Sequence, residues 1–310
     1  MKSNQTRREF LKASSSAVAL AALGSNTFAE EIIPAKKRPL KKGYMMSAFP
    51  KGKGNLSWLE KFQLLKNAGF DGAEPPSHLD PKEILKARDA TGLAIASVVA
   101  GPHTRAMSAS APSTRSKGAE GLKQALRDAK VYGASSVLCV AGHVDENASY
   151  AETWDRTREE IGKCIPVAEA LGVKIAVENV WNNFLLSPLE AARFVDGFNS
   201  PSVGWHFDVG NVISIGWPEQ WIQILGQRIQ KVHIKEFSRK IMNEEGLRKG
   251  FGVEYLAGDN DWPAVMKALD AVGYNGWCIL EPACGPCQEK LSPEEFLKKV
   301  SADLDKILAS

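Results

Sequence analysis

The sequence predicts an α/β fold in which eight parallel strands alternate with helices and close into a (β/α)8 barrel, a single-domain TIM barrel. Eight short apolar runs of strand length recur along the chain, with amphipathic helical patterns between them. Several helical patterns end in a glycine just before the next apolar run, as helices commonly do before the chain turns into a strand. The roughly 280 residues that follow position 29 are enough for one such barrel.

The predicted elements follow one another in a regular order. Strands are predicted at 43–49, 71–75, 94–101, 135–142, 174–180, 203–209, 231–237 and 275–281. Helices are predicted over 58–69, 81–92, 121–134 and 157–172, and glycine stops at 69, 92, 133, 172 and 273. A doubly wound sheet is the alternative, but eight successive units without a switch point favour a closed barrel.

The N-terminal segment has the pattern of an export signal. TRREFLK at 6–12 precedes a small, weakly apolar stretch at 13–24, and Ala29 ends a small-x-small cleavage site. This pattern resembles a Tat signal; a Sec signal or a membrane anchor is the alternative, but the apolar core is too short and too rich in Ser and Ala to span a bilayer. We expect a signal peptide at 1–29, a linker at 30–42 and the barrel at 43–310. The mature protein is then periplasmic or otherwise exported via Tat, without membrane contact.

The charge of the chain argues against polyanionic partners. The formal net charge is +3, and removal of residues 1–29 brings it to about zero. A near-neutral chain gives no basis for nucleic acid or an anionic membrane surface as a partner. The basic cluster within 36–42 is interpreted as part of a solvated linker.

The five cysteines are too scattered for a dense disulfide framework. Cys139, Cys164 and Cys278 lie in apolar runs and are predicted to be buried thiols. Cys284 and Cys287 have the spacing of a redox motif, but no helix clearly begins at the first of them. A simple loop disulfide is the favoured interpretation for an exported protein.

Four side chains fall at the ends of predicted strands, where TIM barrels build their active sites. Glu178 ends KIAVE, Asp208 ends VGWHFD, His233 ends KVH and Glu281 ends GWCILE. One imidazole and three carboxylates predict a site for one divalent cation, and Mn²⁺, Mg²⁺, Co²⁺ and Zn²⁺ all tolerate such donors. His206 lies two residues before Asp208, so strand alternation predicts it in the layer beneath the metal.

The same stretches carry a family resemblance. The segments ENVWNNFLLSP at 178–188, GWHFDVGNV at 204–212, GQRIQKVHIKEF at 226–237 and DWPAVMKALDAVGYNGWCILEP at 261–282 resemble the xylose-isomerase-like TIM barrels. Within that superfamily they resemble the sugar-phosphate isomerase/epimerase group, whose relatives include ketose 3-epimerases, inosose dehydratase and zinc AP endonucleases. The resemblance covers roughly residues 43–305.

The resemblance implies roles for individual residues. In the ketose 3-epimerases, four residues matching those above hold a divalent metal. Glu178 and Glu281 are thereby implied as an acid/base pair on opposite faces of the sugar, and Arg239 as the residue that orients the substrate. AP endonucleases need further His and Asp ligands, whereas this chain has Asn211 and Lys235 around its motifs, so DNA repair is not expected.

Further residues are predicted to contact the substrate. Lys235 alternates with His233 along one strand, and it is a candidate to hold a carbonyl or an anionic group; the alternative is a lysine that pairs with Glu281 or Glu74. The other candidates lie at or near strand ends: Glu74, His103, Trp181, Asn182 and Asn211.

These residues predict a divalent-metal-dependent sugar isomerase or epimerase that abstracts a proton next to a ketose carbonyl and passes through an enediolate. The alternative is a lyase or dehydratase of the same superfamily that eliminates from a 3-keto-glycoside or an inosose. A sugar-binding protein is disfavoured, because a pure binder has no use for paired carboxylates around a metal. With an export signal and no Gly-rich phosphate loop of the usual kind, we expect an unphosphorylated sugar substrate. Relatives are often oligomeric, so a homo-oligomer is a further expectation.

Overall fold

The structure is a computed structural model that describes residues 39–51, 55–283 and 290–310. The predicted signal peptide, most of the predicted linker, and Cys284 and Cys287 lie outside the described residues. The strands form a nearly closed parallel barrel, which confirms the predicted fold class. They are β1 (Lys41–Met45), β2 (Gly72–Glu74), β3 (Ala94–Ile95), β4 (Val98–Val99), β5 (Ser136–Cys139), β6 (Lys174–Glu178), β7 (Val203–Asp208), β8 (Ile229–Ile234) and β9 (Trp277–Leu280).

The strand predicted at 94–101 is divided into two short strands, β3 and β4. These two strands are the first and the last in the strand order of the sheet. The strand order is β3-β2-β1-β9-β8-β7-β6-β5-β4. β3 pairs with β2, whereas β4 pairs with β5, so the chain changes its pairing partner between the two short strands. Hydrogen bonds outside the ladder complete the barrel here: the Ser77 amide donates to the Val99 carbonyl, and the Val99 amide donates to the Pro75 carbonyl, each at 2.9 Å.

Helices surround the barrel. They are α1 (Trp58–Asn67), α2 (Pro81–Thr91), α3 (Gly101–Thr104), α4 (Pro112–Tyr132), α5 (Tyr150–Gly162), α6 (Ile165–Leu171), α7 (Pro188–Asp196), α8 (Gly210–Ile213), α9 (Pro218–Leu225), α10 (Arg239–Glu245), α11 (Trp262–Ala271) and α12 (Pro293–Ala309). Short 3-10 turns occur at Met46–Ala48, Arg105–Ser108, Gly226–Arg228 and Leu247–Phe251. All five glycines that were predicted to end helices have a positive φ, between 65° and 86°. This left-handed backbone conformation is common in the residue that terminates an α-helix.

One predicted helix is broken. The pattern at 157–172 forms the end of α5 and the whole of α6, with a break at Lys163 and Cys164. Pro166 explains the break, because its ring would clash with the carbonyl four residues earlier and it has no amide hydrogen to donate. The apolar spacing alone did not reveal this interruption.

The first strand begins within the last two residues of the predicted linker, 30–42. β1 begins at Lys41, which pairs in register with Trp277 of β9. The Lys42 side chain is not solvated: its ammonium donates to Ser301 Oγ at 2.9 Å and pairs with Asp305 at 2.7 Å, both on α12. These contacts anchor the first strand to the last helix.

The strands are buried on both faces, as parallel strands covered by helices must be. Every residue of β5 and of β7 is buried. Cys139, Cys164 and Cys278 are buried, as predicted, and burial raises the pKa of the Cys139 thiol to about 12. Among the residues described, no helix combines the length and the apolarity that a membrane crossing requires.

Candidate functional site

The four predicted metal ligands meet at the C-terminal ends of neighbouring strands. Glu178 ends β6, Asp208 ends β7, His233 is the last but one residue of β8, and Glu281 directly follows β9. The ladder places Asp208 opposite His233, and the Glu281 amide donates to the Ile234 carbonyl at 3.1 Å. One donor atom from each of the four residues lies within 4.8 Å of the others. We call these four residues the metal cluster.

The imidazole of His233 is the centre of this arrangement. Its Nδ1 atom lies 2.9 Å from Glu281 Oε2 and 3.2 Å from Glu178 Oε1. His233 and Asp208 are fully buried and Glu178 nearly so, whereas Glu281 is partly exposed. The two glutamates therefore approach one nitrogen from separate strands, and Glu281 lies closest to solvent.

Lys235 lies against the metal cluster, on the lumen side that strand alternation predicts. Its Nζ atom is 2.7 Å from Glu281 Oε1 and 3.0 Å from Asp208 Oδ2, and it donates to Asn211 Oδ1 at 3.4 Å. The ammonium also faces the Phe251 ring, 5.1 Å from its centroid. Because Lys235 is only 7% exposed, its charge is compensated almost entirely by the carboxylates of the cluster.

The carboxylates of the cluster differ in their protonation equilibria. Burial raises the pKa of Glu178 to about 7 although His233 opposes the shift, and burial raises the pKa of Asp208 to about 6 although Lys235 opposes it. Burial would also raise the pKa of Glu281, but Lys235 and His233 hold it well below its ordinary value. Burial would lower the pKa of His233, yet the surrounding carboxylates raise it well above the usual range.

This donor set fits a hard divalent cation. The raised pKa values of Glu178 and Asp208 indicate negative charge that the buried site compensates incompletely, and a cation in contact with both carboxylates would supply the missing compensation. Carboxylate oxygens with one imidazole nitrogen are suitable ligands for such an ion. Glu178, Asp208, His233 and Glu281 are the residues that would hold it.

A second buried group lies behind His233. Glu74, the last residue of β2, approaches His233 Nε2 at 2.8 Å, so the two ring nitrogens face different carboxylates. His206 packs edge-on against the His233 ring, with centroids 4.1 Å apart, and its Nε2 is 3.9 Å from Glu74 Oε1. His206 thus lies in the layer beneath the metal cluster, as predicted. Glu74 was predicted to touch substrate, but the structure places it, fully buried, behind a candidate metal ligand.

Asn179 is a functional candidate that sequence reasoning missed. Its side-chain amide donates to the Asp208 carbonyl at 2.7 Å, and its Oδ1 accepts from the Asp208 amide at 2.9 Å and from Trp205 Nε1 at 3.1 Å. The side chain therefore binds both backbone groups of a candidate ligand and fixes the end of β7 to the end of β6. Its place directly after Glu178 was the available signal.

Three predicted substrate contacts lie beside the cluster, two in the loop after β6 and one in the short helix α8 after β7. Asn211 donates from its backbone to Asp208 Oδ1 at 2.9 Å, and Trp181 donates from Nε1 to the Asn211 carbonyl at 3.0 Å. Asn182 is buried, and its amide donates to the Gly142 carbonyl at 3.0 Å. Asn211 and Trp181 thus belong to the wall of the site, whereas Asn182 supports the loop.

The other two predicted substrate contacts lie elsewhere. The Arg239 guanidinium donates to the carbonyls of Ile213 and Gly216, at 3.0 and 2.9 Å, and lies over the Trp217 ring. It is thereby bound to the loop after β7. His103 lies within the short helix α3 and stacks on His78, with ring centroids 3.7 Å apart.

The chain is similar in sequence to an inosose dehydratase and to a ribulose-phosphate epimerase. It is 24% identical to the inosose dehydratase of Geobacillus thermodenitrificans over 165 residues, which are 48% of this chain and 55% of the dehydratase. It thus spans about half of the length of that relative. It is 25% identical to L-ribulose-5-phosphate 3-epimerase UlaE of Escherichia coli O1:K1 over 264 residues, which are 80% of this chain and 88% of the epimerase.

A solved structure and a family model agree on the fold. The IOLI protein with a bound zinc atom superposes with a TM-score of 0.71 at 16% identity, over 87% of this chain and 98% of the other. The model of the xylose isomerase-like TIM barrel family matches residues 62–300, well over half of the chain. The chain belongs to the xylose isomerase-like TIM barrel family.

Proposed function

We propose that the chain is a divalent-metal-dependent sugar isomerase or epimerase that abstracts a proton next to a ketose carbonyl and passes through an enediolate. The observation that carries this proposal is the approach of Glu178 and Glu281 to His233 Nδ1, at 3.2 and 2.9 Å, within one buried donor set. Similarity to an inosose dehydratase and to a ribulose-phosphate epimerase supports sugar chemistry of this kind.

The position of each residue in the cluster indicates its role in the proposed reaction. A divalent cation, when bound, would polarise the sugar carbonyl and so acidify the neighbouring C–H. Asp208 and His233 are the buried ligands that fix the site, because Asn179 and Glu74 restrain them from behind. The carboxylates of Glu178 and Glu281 are the groups that remove and return the proton.

Return of the proton decides the reaction. If the second carboxylate protonates the same carbon from the opposite face, the sugar is epimerised; if the neighbouring carbon is protonated, a ketose becomes an aldose. In both outcomes the two glutamates move the carbon-bound proton, and isomerisation also transfers a proton from the hydroxyl that becomes the new carbonyl to the oxygen of the old one. The proposed class is therefore an isomerase or epimerase, with Mn²⁺, Mg²⁺, Co²⁺ or Zn²⁺ as the ion.

A lyase or dehydratase is the second candidate, and Lys235 is the observation that favours it. Its ammonium is fixed 2.7 Å from Glu281 and 3.0 Å from Asp208, so a proton donor lies beside the two carboxylates. Elimination requires protonation of a leaving hydroxyl or alkoxide after the same C–H abstraction. The substrate would then be an inosose or a 3-keto-glycoside.

The test is proton NMR in D₂O with the metal-loaded protein and a panel of ketoses, ketose phosphates and 3-keto-glycosides. Deuterium in a rearranged sugar supports the isomerase or epimerase and names the carbon. Release of an aglycone or formation of an unsaturated ketone assigns the lyase instead. Glu178→Gln and Glu281→Gln variants that still fold are expected to lose exchange, and unchanged exchange in both would refute the assigned roles.

We also propose that the protein is exported by Tat and acts on an unphosphorylated sugar in the periplasm. The twin arginines at positions 7 and 8 motivate this proposal. Replacement of both by lysine is expected to leave the protein in the cytoplasm with an intact N-terminus. An unaltered periplasmic fraction would contradict Tat export, and activity restricted to sugar phosphates would contradict the proposed substrate.

A further inference from the structure

A cleft of about 340 Å³ opens beside the metal cluster. It lies between the loop that follows β6 and the segment that follows β7, and the turn Leu247–Phe251 borders it. Asn179 and Asn211, which touch Asp208, form its inner wall, whereas the four residues of the metal cluster do not line it. The cleft is therefore adjacent to the reaction site without being the reaction site.

The cleft and the metal cluster share their dividing wall. Asn211 lines the cleft and accepts a hydrogen bond from Lys235 in the cluster. Phe251 faces the Lys235 ammonium, and the Trp181 ring, which lines the cleft, lies 4.7 Å from the Phe251 ring. Only this layer of side chains separates the two spaces.

The outer part of the cleft carries large apolar side chains that face solvent. Leu186 is 54% exposed, Ile215 is 60% exposed and Leu247 is 54% exposed. Single exposed leucines are ordinary, but three around one cleft form a patch, and such patches commonly mark binding sites. Two bonds from the Arg239 guanidinium, to the carbonyls of Ile213 and Gly216, fix the loop that carries Ile215.

The size and composition of the cleft suit a small organic group. Small-molecule sites have volumes of roughly 300–1,000 Å³, with mostly apolar walls and a few polar groups. Trp181 and Trp221 provide aromatic surface, and Asn183 and Ser214 provide polar groups. Among the described residues that line the cleft, Arg248 is the only permanently charged one, and most of the other lining side chains are apolar.

We propose that this cleft is a second subsite that holds the aglycone of a glycoside, a ring with an apolar face, while the reacting carbons of the sugar lie at the metal cluster. This inference rests on the proposed function, because it assigns the rest of the substrate of that same site. It names the substrate class as a glycoside with an aromatic aglycone, in place of a free monosaccharide or a sugar phosphate.

The test compares the binding of unreactive glycosides, so it does not depend on turnover. The full chain loaded with Mn²⁺ is titrated by calorimetry with 4-nitrophenyl β-D-glucopyranoside and with methyl β-D-glucopyranoside. Burial of the aromatic ring predicts at least about tenfold tighter binding of the nitrophenyl glycoside. Equal affinity, or no detectable binding of the nitrophenyl glycoside, would overturn the subsite.

Two charge substitutions locate the subsite. Leu247→Asp and Ile215→Asp are expected to remove the preference for the nitrophenyl glycoside and to leave the affinity for the methyl glycoside unchanged. Val131→Asp is the matched control, because Val131 is 49% exposed on α4 and does not line the cleft. A preference that survives in both cleft variants would refute the assignment.

The remaining outcomes separate this proposal from its alternatives. If the protein is an oligomer that Leu247→Asp dissociates, with no change in glycoside preference, the apolar surface is a subunit interface and the proposal is wrong. If the nitrophenyl glycoside binds tightly but no sugar shows C–H exchange, the proposed reaction fails while the subsite stands. If a sugar shows C–H exchange but the nitrophenyl glycoside binds no more tightly than the methyl glycoside, the proposed reaction stands and the subsite is refuted.

Discussion

The two glutamates of the metal cluster are expected to respond in opposite ways to the same substitution. In the metal-free protein, burial makes the ionised form of Glu178 unfavourable, whereas Lys235 and His233 stabilise the ionised form of Glu281. Glu178→Gln should therefore stabilise the metal-free fold at pH 8, and Glu281→Gln should destabilise it. Both substitutions preserve side-chain size, so the difference reports on charge.

The magnitude for Glu178 follows from its pKa. The folded pKa of about 7 lies above the ordinary value of 4.5, and each pKa unit corresponds to about 1.4 kcal/mol. The folded state consequently binds more protons than the unfolded state between these two values, and stability falls as the pH rises through this window. Glu178→Gln should therefore raise the free energy of unfolding by up to about 3 kcal/mol at pH 8 and leave it almost unchanged at pH 4.

The ionised carboxylate of Glu281 contributes to stability in the opposite direction from that of Glu178. Its folded pKa lies below the unfolded value, so its contribution to stability is present above pH 4.5 and is lost only as the pH falls through the folded pKa. The assay is urea unfolding in EDTA at pH 4 and pH 8 for the wild-type protein and both variants. If Glu178→Gln is no more stable than the wild-type protein at pH 8, or if Glu281→Gln is more stable there, the opposite charge environments of the two glutamates are contradicted.

Further predictions concern residues that support the cluster. Lys235→Met should tighten Mn²⁺ binding at least about tenfold in calorimetry, because the competing ammonium is removed, whereas Lys235→Arg should not. Glu74→Gln should weaken Mn²⁺ binding about tenfold, because the restraint on His233 Nε2 changes, with an altered Mn²⁺ EPR spectrum. Asn179→Ala should lower the unfolding free energy by about 1–3 kcal/mol in urea, because Asp208 loses both backbone partners. Weaker Mn²⁺ binding by Lys235→Met, an unchanged Mn²⁺ affinity of Glu74→Gln, or an unchanged unfolding free energy of Asn179→Ala would contradict the corresponding assignment.

The positions of the cluster could be predicted because strand ends are a local property of the sequence. Glu178 and Asp208 each close an apolar run that is a strand, and the closed parallel barrel places every strand end on one rim. His206 could be placed beneath the cluster for the same reason, because side chains alternate along a strand.

Side-chain partners could not be predicted, because they depend on residues distant in the chain. Arg239 follows His233 at the spacing that the family resemblance implies, yet its guanidinium binds the carbonyls of Ile213 and Gly216, more than twenty residues earlier. Glu74 meets His233 across 159 positions. Such contacts arise from barrel closure, which no local pattern encodes.

The backbone differences have equally specific causes. The strand predicted at 94–101 splits because its two halves pair with different neighbours, a choice that apolar spacing does not report. The helix predicted at 157–172 breaks near Pro166, where the residue type did carry the information. The cleft beside the metal cluster was also not predicted, since Leu186, Ile215 and Leu247 come from three separate segments.

Four strand-end side chains are proposed to hold one divalent cation. Anomalous diffraction from crystals grown with Mn²⁺ should then show one strong peak within about 2.0–2.4 Å of a donor atom from each of Glu178, Asp208, His233 and Glu281. A peak elsewhere, or none at these residues with Lys235 still bridging Asp208 and Glu281, would contradict it.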